Sequence, residues 1–84
     1  MSYRIVFTPR AEREFDALDG SVRLRIARSL TRLSGAPRDA ANVKALTGGG
    51  YRLRIGDWRV IYTVQDDVLV VLVLGVGHRR EIYR

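Results

Sequence analysis

Near the middle of the chain the hydrophobic period changes from about 3.6 residues to 2, and that change fixes the class of fold. Before Gly35-Ala36-Pro37 the apolar residues recur on helical stripes: Ala11, Phe15 and Leu18, then Val22, Ile26, Leu30 and Leu33. After Gly50 they alternate, with Tyr51, Leu53 and Ile55 separated by Arg52 and Arg54. A helix buries a stripe and a strand buries a face, so the first half must lay its helices on a sheet built largely by the second.

Local signals set the boundaries. Tyr3-Arg4-Ile5-Val6-Phe7 is β-branched and aromatic and predicts a first strand. Thr8-Pro9 has the form of an N-cap followed by proline at the first helical position. Asp19-Gly20-Ser21 ends that helix and starts the next, giving an αα-hairpin. Arg38 to Gly50 is expected to be a connector anchored by Val43 and Leu46, with three glycines, Gly48 to Gly50, as a flexible stop. Gly56-Asp57 suits a two-residue hairpin loop of type II′ between Tyr51–Ile55 and Trp58–Gln65. Asp66-Asp67 predicts a second tight turn. Val68 to Val76 is apolar throughout and predicts a central strand covered on both faces. The tail from His78 to Arg84 could add one more strand. The expected architecture is one α+β domain over residues 1–84, ordered β-α-α-β-β-β(-β), with the αα-hairpin packed on a largely antiparallel twisted sheet.

Composition narrows the chemistry. The chain has 84 residues and no cysteine, which excludes disulfides, thiolate metal sites and a cysteine nucleophile. One histidine gives no metal-ligand spacing, Gly48 to Gly50 is not followed by the Lys-Ser/Thr of a phosphate loop, and no cofactor is expected. The longest apolar run is about half of the ~20 residues a membrane helix needs, and no leader pattern opens the chain, so a cytoplasmic location is expected. Basic residues outnumber acidic ones 15 to 9, a formal charge of +6. Lys44 is the only lysine. Arginine suits planar, bidentate contact with phosphate or carboxylate, so the expected partners are nucleic acid or an acidic protein. Arg25, Arg28 and Arg32 also recur along one face of the second helix.

The hairpin register carries the sharpest inference. A two-residue loop at Gly56-Asp57 puts Ile55 opposite Trp58 and Arg54 opposite Arg59. Arg52 then stands on the same face, two residues along. Like charges directly across a ladder destabilise a sheet, whereas a phosphate among them would turn repulsion into binding. The alternative is that Glu81, Asp57 or Asp66 pairs with the cluster. The tail brings His78, Arg79, Arg80 and Tyr83 within six residues. Histidine titrates near neutrality, arginine stabilises charge developing on phosphorus, and tyrosine stacks on a base or shares a proton.

Two blocks carry a resemblance. Gly50-Tyr51-Arg52-Leu53-Arg54-Ile55-Gly56-Asp57-Trp58-Arg59-Val60-Ile61-Tyr62 resembles the central block of the RelE/ParE toxin superfamily, and Val73-Leu74-Gly75-Val76-Gly77-His78-Arg79-Arg80-Glu81-Ile82-Tyr83 resembles the ending of its RelE branch. The β-α-α start and Leu46-Thr47-Gly48 agree, so the resemblance spans essentially the whole chain. It implies a type II toxin and metal-independent endoribonuclease that cuts mRNA in the ribosomal A site, a ribose 2′-OH attacking the adjacent phosphate. It also implies a RelB-like acidic antitoxin, the ribosome and mRNA as partners, and a toxin–antitoxin hetero-oligomer.

Carried over by position, Arg52 and Arg54 fall where members of the family carry lysines, Arg59 and Arg79 fall on family arginines, and Tyr83 falls on a family tyrosine. The resemblance and the chemistry of the tail residues together make Arg52, Arg54, Arg59 and Arg80 the expected RNA-binding residues, and Arg54, Arg59, His78, Arg79 and Tyr83 the expected catalytic set. Arginine at position 54 is a departure, because arginine does not deprotonate and so cannot replace a lysine base. His78 is then the first local candidate for general base and Tyr83 the second. The third possibility is that charge stabilisation and ribosomal groups supply most of the rate. The competing reading is the ParE branch, which poisons DNA gyrase and cuts no RNA. Retention of Arg59, Arg79 and Tyr83 favours the RelE branch.

Overall fold

Thr8 begins the first helix as its neighbours suggest: its hydroxyl accepts from the Ala11 N–H at 3.2 Å, and Pro9 occupies the first turn. In the computed structural model, which describes residues 2–78, this helix follows β1 (Arg4–Phe7) and is α1 (Pro9–Asp16). The Asp19-Gly20 break leads into α2 (Gly20–Leu33), and Arg23 reaches back to the Leu18 carbonyl, satisfying an acceptor left open where α1 ends. Four strands follow: β2 (Val43–Ala45), β3 (Tyr51–Ile55), β4 (Trp58–Gln65) and β5 (Val70–His78).

The five strands form one sheet in the order β1-β5-β4-β3-β2, with β1 parallel to β5 and every other pair antiparallel. Both helices cover one face. Against them pack Leu53, Val60, Tyr62, Val71, Val73 and Val76 from the sheet with Ala11, Ile26, Leu30 and Leu33 from the helices, all buried. Phe15 joins from α1 at 5.2 Å from Phe7. Tyr62 is fully buried and places its hydroxyl 2.6 Å from the Pro37 carbonyl, tying the end of the helical half to the middle of the sheet. Among the described residues, no helix is long and apolar enough to cross a membrane.

The α+β class and the order of elements agree with the sequence, and three details correct it. The connector contains a strand: Val43, Lys44 and Ala45 pair with Leu53, Arg52 and Tyr51 as a short edge. The turn after β4 takes four residues, not two, with Leu69 in the left-handed region at φ 53°. Two consecutive aspartates would have to adopt positive φ in a type I′ turn; here Asp66 instead turns its carboxylate to Tyr3 and Arg38. As a result β5 begins two residues late. A slip of two preserves side-chain alternation, so Trp58, Val60, Tyr62, Val64, Val71 and Val73 share one face, and Leu69 is left in the turn. Third, β5 is not covered on both sides: among the described residues the helices lie on one face only, and Leu74 is exposed on the strand. The possible extra strand after His78 lies outside the described residues.

Candidate nucleic-acid interface

The side of the sheet away from the helices carries the arginines. The β3–β4 ladder pairs Ile55 with Trp58 and Arg54 with Arg59, the register inferred from the two-residue loop, and Gly56 takes the positive φ of 60° that this turn requires. Arg52, opposite Ile61, points to the same side. Lys44 sits across from Arg52 on the neighbouring strand. Four cations therefore share a patch two to three strands wide. Asp66, one of the acids that could have neutralised it, is spent at the other end of the sheet on Arg38.

The guanidinium of Arg59 is half-committed. Its Nη1 donates to the carbonyls of Gly56 at 3.0 Å and Trp58 at 3.1 Å, which aims the group along the hairpin turn. Its Nε is buried and makes no hydrogen bond among the described residues. Buried donors are nearly always satisfied, so an orphaned one beside a second arginine marks a place for an acceptor. Arg54 is exposed, and its strand is held by the Asn42 side chain, which donates to the Arg54 carbonyl at 2.7 Å, and by the Arg54 N–H, which donates to the Asn42 carbonyl at 3.0 Å.

Beside the arginines the surface is bare backbone. Arg59 faces Gly77, and Ile61 faces Gly75, so β5 contributes no side chains there. A shallow trough of about 180 Å³ runs over Gly75 between Ile61, Leu74 and Arg10. A bulge between Ile61 and Tyr62 produces this: with Tyr62 opposite Val73 and Ile61 opposite Gly75, Leu74 is the extra residue and alternation along β5 flips after it. Glu14 supports the flipped segment. β1 ends opposite Val73, and the Glu14 carboxylate takes over beyond it, accepting the Val76 N–H at 3.0 Å. The glycines, Arg10 and Glu14 were absent from the site read in the sequence. The alternating Gly75-x-Gly77 was a visible signal, whereas Arg10 and Glu14 reach the sheet only through the packing of α1.

The flip also moves His78. It pairs with Trp58, and the two rings meet edge to face at 5.5 Å on the helix-covered side. Arg54 and Arg59 point to the other side. The expectation that His78 stands among those arginines is therefore corrected: one extra residue in β5 reverses its face. Arg52, Arg54 and Arg59 are brought together as expected. Arg79, Arg80 and Tyr83 lie outside the described residues.

Comparison with known proteins agrees with this geometry. The family model described as the ParE toxin of the type II toxin–antitoxin system parDE matches residues 5–83. The mRNA interferase toxin RelE of Escherichia coli strain K12 is 33% identical over 87 aligned positions, covering 99% of this chain and 92% of the relative. Toxin RelG of Mycobacterium tuberculosis is 29% identical, covering all of this chain and 99% of the relative. Among solved structures, the intact E. coli RelBE toxin–antitoxin complex contains a chain that superimposes with a TM-score of 0.82 at 31% identity, over 92% of this chain and 96% of that one. With the family model matching residues 5–83, a 33% identical relative aligned over 99% of the chain and a fold superimposing at a TM-score of 0.82, this chain belongs to the RelE/ParE superfamily of type II toxins.

Proposed function

We propose that this protein is a RelE-type toxin that stops translation by cutting messenger RNA in the ribosomal A site, without a metal ion. The observation that carries the reading is Arg54 standing directly across from Arg59, whose buried Nε has no acceptor among the described residues. A phosphate between them removes the repulsion and satisfies the donor. In the cleavage step the ribose 2′-oxygen forms a bond to phosphorus as the bond to the 5′-oxygen breaks. The products are a 2′,3′-cyclic phosphate and a 5′-hydroxyl. Negative charge builds on the non-bridging oxygens, where fixed guanidinium groups act most strongly. One proton must leave the 2′-hydroxyl and one must reach the 5′-oxygen. His78 faces the helices and is not the group that takes the first; Tyr83 or a group of the ribosome is. Arg79, by resemblance, holds the phosphate, and solvent or a ribosomal group delivers the second proton. The bare strip at Gly75 and Gly77 leaves room for a base beside the phosphate.

The E. coli relative is named an mRNA interferase, which supports RNA as the target over gyrase. The E. coli and Pyrococcus horikoshii relatives were solved as RelB–RelE complexes, which supports a RelB-like antitoxin and a hetero-oligomer for this chain. An acidic antitoxin would neutralise the +6 charge and be captured quickly. Such a pair would act in the cytoplasm, where ribosomes are.

Primer extension on an mRNA in a translating extract tests the reading. Breaks within A-site codons that vanish with Arg59→Ala support it. Intact mRNA together with inhibited DNA supercoiling would assign the protein to the gyrase-poisoning branch.

A further inference from the structure

A second arginine surface lies outside the hairpin patch. Arg25, Arg28 and Arg32 are exposed along α2 and, among the described residues, make no ion pair. Arg32 donates to the Ser29 hydroxyl at 3.3 Å, which lays its guanidinium along the helix. The three surround an open concavity of about 310 Å³ with Ser29 and Ile55 at its floor. At one end the track reaches the hairpin: a side chain at Gly56 would meet the Arg25 Nη2 at 3.0 Å, and the Gly56 carbonyl is already bound by Arg59. The arginines of α2 and those of the open face therefore meet at one turn.

We propose that this track is a docking surface for the phosphate backbone of base-paired RNA, next to the cutting site. The inference rests on the reading of the protein as an RNA-cutting toxin and adds a second contact to it. Three arginines over seven residues span about 10.5 Å of helix. One strand of a duplex presents successive phosphates along its axis at intervals shorter than the track, so the three arginines can engage a short run of them rather than one. Paired RNA is recognised mainly through its backbone and shape, which suits a row of guanidinium groups with no stacking platform. The track lacks the buried aromatic anchors that hold a protein partner: Ile55 is 8% exposed at the floor, and Leu24 is a lone exposed apolar side chain on the helix.

The test is binding of a fully paired RNA of about 16 base pairs, read by fluorescence anisotropy at several salt concentrations between about 50 and 200 mM. Four proteins are compared: wild type, Arg25→Gln/Arg28→Gln/Arg32→Gln, the same positions changed to lysine, and Arg13→Gln as a charge control on α1. Glutamine and arginine have similar helix propensity, so the triple variants should fold. The expected result is at least a tenfold loss for the glutamine protein, with its log–log salt slope shallower by about 2 to 3, since each phosphate contact contributes about 0.9. The lysine protein should keep the slope, and Arg13→Gln, which removes an exposed charge outside both arginine surfaces, should bind the duplex within about twofold of wild type. Wild-type affinity and slope in the glutamine protein would overturn the proposal. So would unchanged duplex binding with loss of binding to an oligoglutamate peptide, which would assign the track to an acidic protein. A-site cleavage by the same wild-type preparation is scored separately. If wild type cuts no message while the duplex result holds, the functional reading falls and the docking surface stands.

Discussion

The two ends of the sheet use arginine in opposite ways. At the end where β4 turns into β5, Arg38 grips Asp66 with two hydrogen bonds of 2.6 and 3.1 Å, donates to the Tyr51 hydroxyl at 3.0 Å and stacks on its ring, while Tyr3 donates to the same aspartate. The charges of Arg38 and Asp66 match, and the network fastens the connector, the residue before β1, β3 and the turn to one another. At the end where β3 turns into β4, Arg54 faces Arg59, and Arg25 leans over the same turn from α2. The first arrangement is complete without a ligand. Under the proposed function, the second is completed by a phosphate. On the proposed reading, matched arginine serves structure in this fold and opposed arginine serves binding, which composition alone cannot separate.

The largest effect that would sharpen this contrast is on cleavage. Arg59→Ala should lower the single-turnover rate of A-site cleavage by about 10²- to 10³-fold, the usual worth of one fixed donor to a developing oxyanion. A rate within threefold of wild type would place the phosphate elsewhere.

Glu14 comes next. Glu14→Ala strands the Val76 N–H beyond the end of β1. It should cost about 1–2 kcal/mol in urea unfolding and slow cleavage by loosening the strip at Gly75 and Gly77. Glu14→Gln keeps an acceptor and should restore both; failure of glutamine to do so would show that the charge, not the hydrogen bond, matters.

Tyr62 tests the buried link to Pro37. Burial pushes its phenol up to about 12. The unfolded phenol titrates near 10. Because the folded value is the higher one, its contribution is full below pH 10 and is lost as pH rises from 10 towards 12. Tyr62→Phe should cost about 1 kcal/mol at neutral pH and flatten that alkaline decline. An unchanged alkaline limb in the variant would assign the decline to other groups.

The smallest effect belongs to the matched end. The Arg38 guanidinium, and then the Tyr3 hydroxyl, hold the Asp66 carboxyl below its ordinary value. Its contribution is present above the unfolded carboxylate value and lost as pH falls through the folded one. Asp66→Asn should make acid unfolding slightly shallower and leave cleavage unchanged, since this network is remote from Arg59. A loss of cleavage would mean that the two ends are coupled.

Much of this was legible in the residues. Period, caps and the Gly56-Asp57 loop determined the helices, the hairpin register and the Arg54–Arg59 opposition, because each depends on neighbours within a few positions. The β2 edge was hidden, since three residues carry too little pattern to distinguish a strand from a connector. The long turn at Asp66 was hidden because its cause, Arg38, lies 28 positions away. The bulge at Leu74 was the costliest omission: an uninterrupted apolar run shows no break in alternation, yet one extra residue there decides which face His78 occupies.

On the proposed reading the opposed arginines take up an anion, and thermal melting measures that uptake. Wild type and Arg59→Ala would be melted in phosphate-free buffer, alone and with a short single-stranded oligonucleotide lacking 2′-hydroxyls, which cannot be cut. Alone, Arg59→Ala should be as stable as wild type or slightly more so, because removing one of two facing charges relieves repulsion. With the oligonucleotide at about 100 times its dissociation constant, wild type should gain about 2.7 kcal/mol and the variant clearly less. A variant destabilised by more than about 1 kcal/mol in buffer alone, with an oligonucleotide gain equal to that of wild type, would make Arg59 a structural residue and contradict the account.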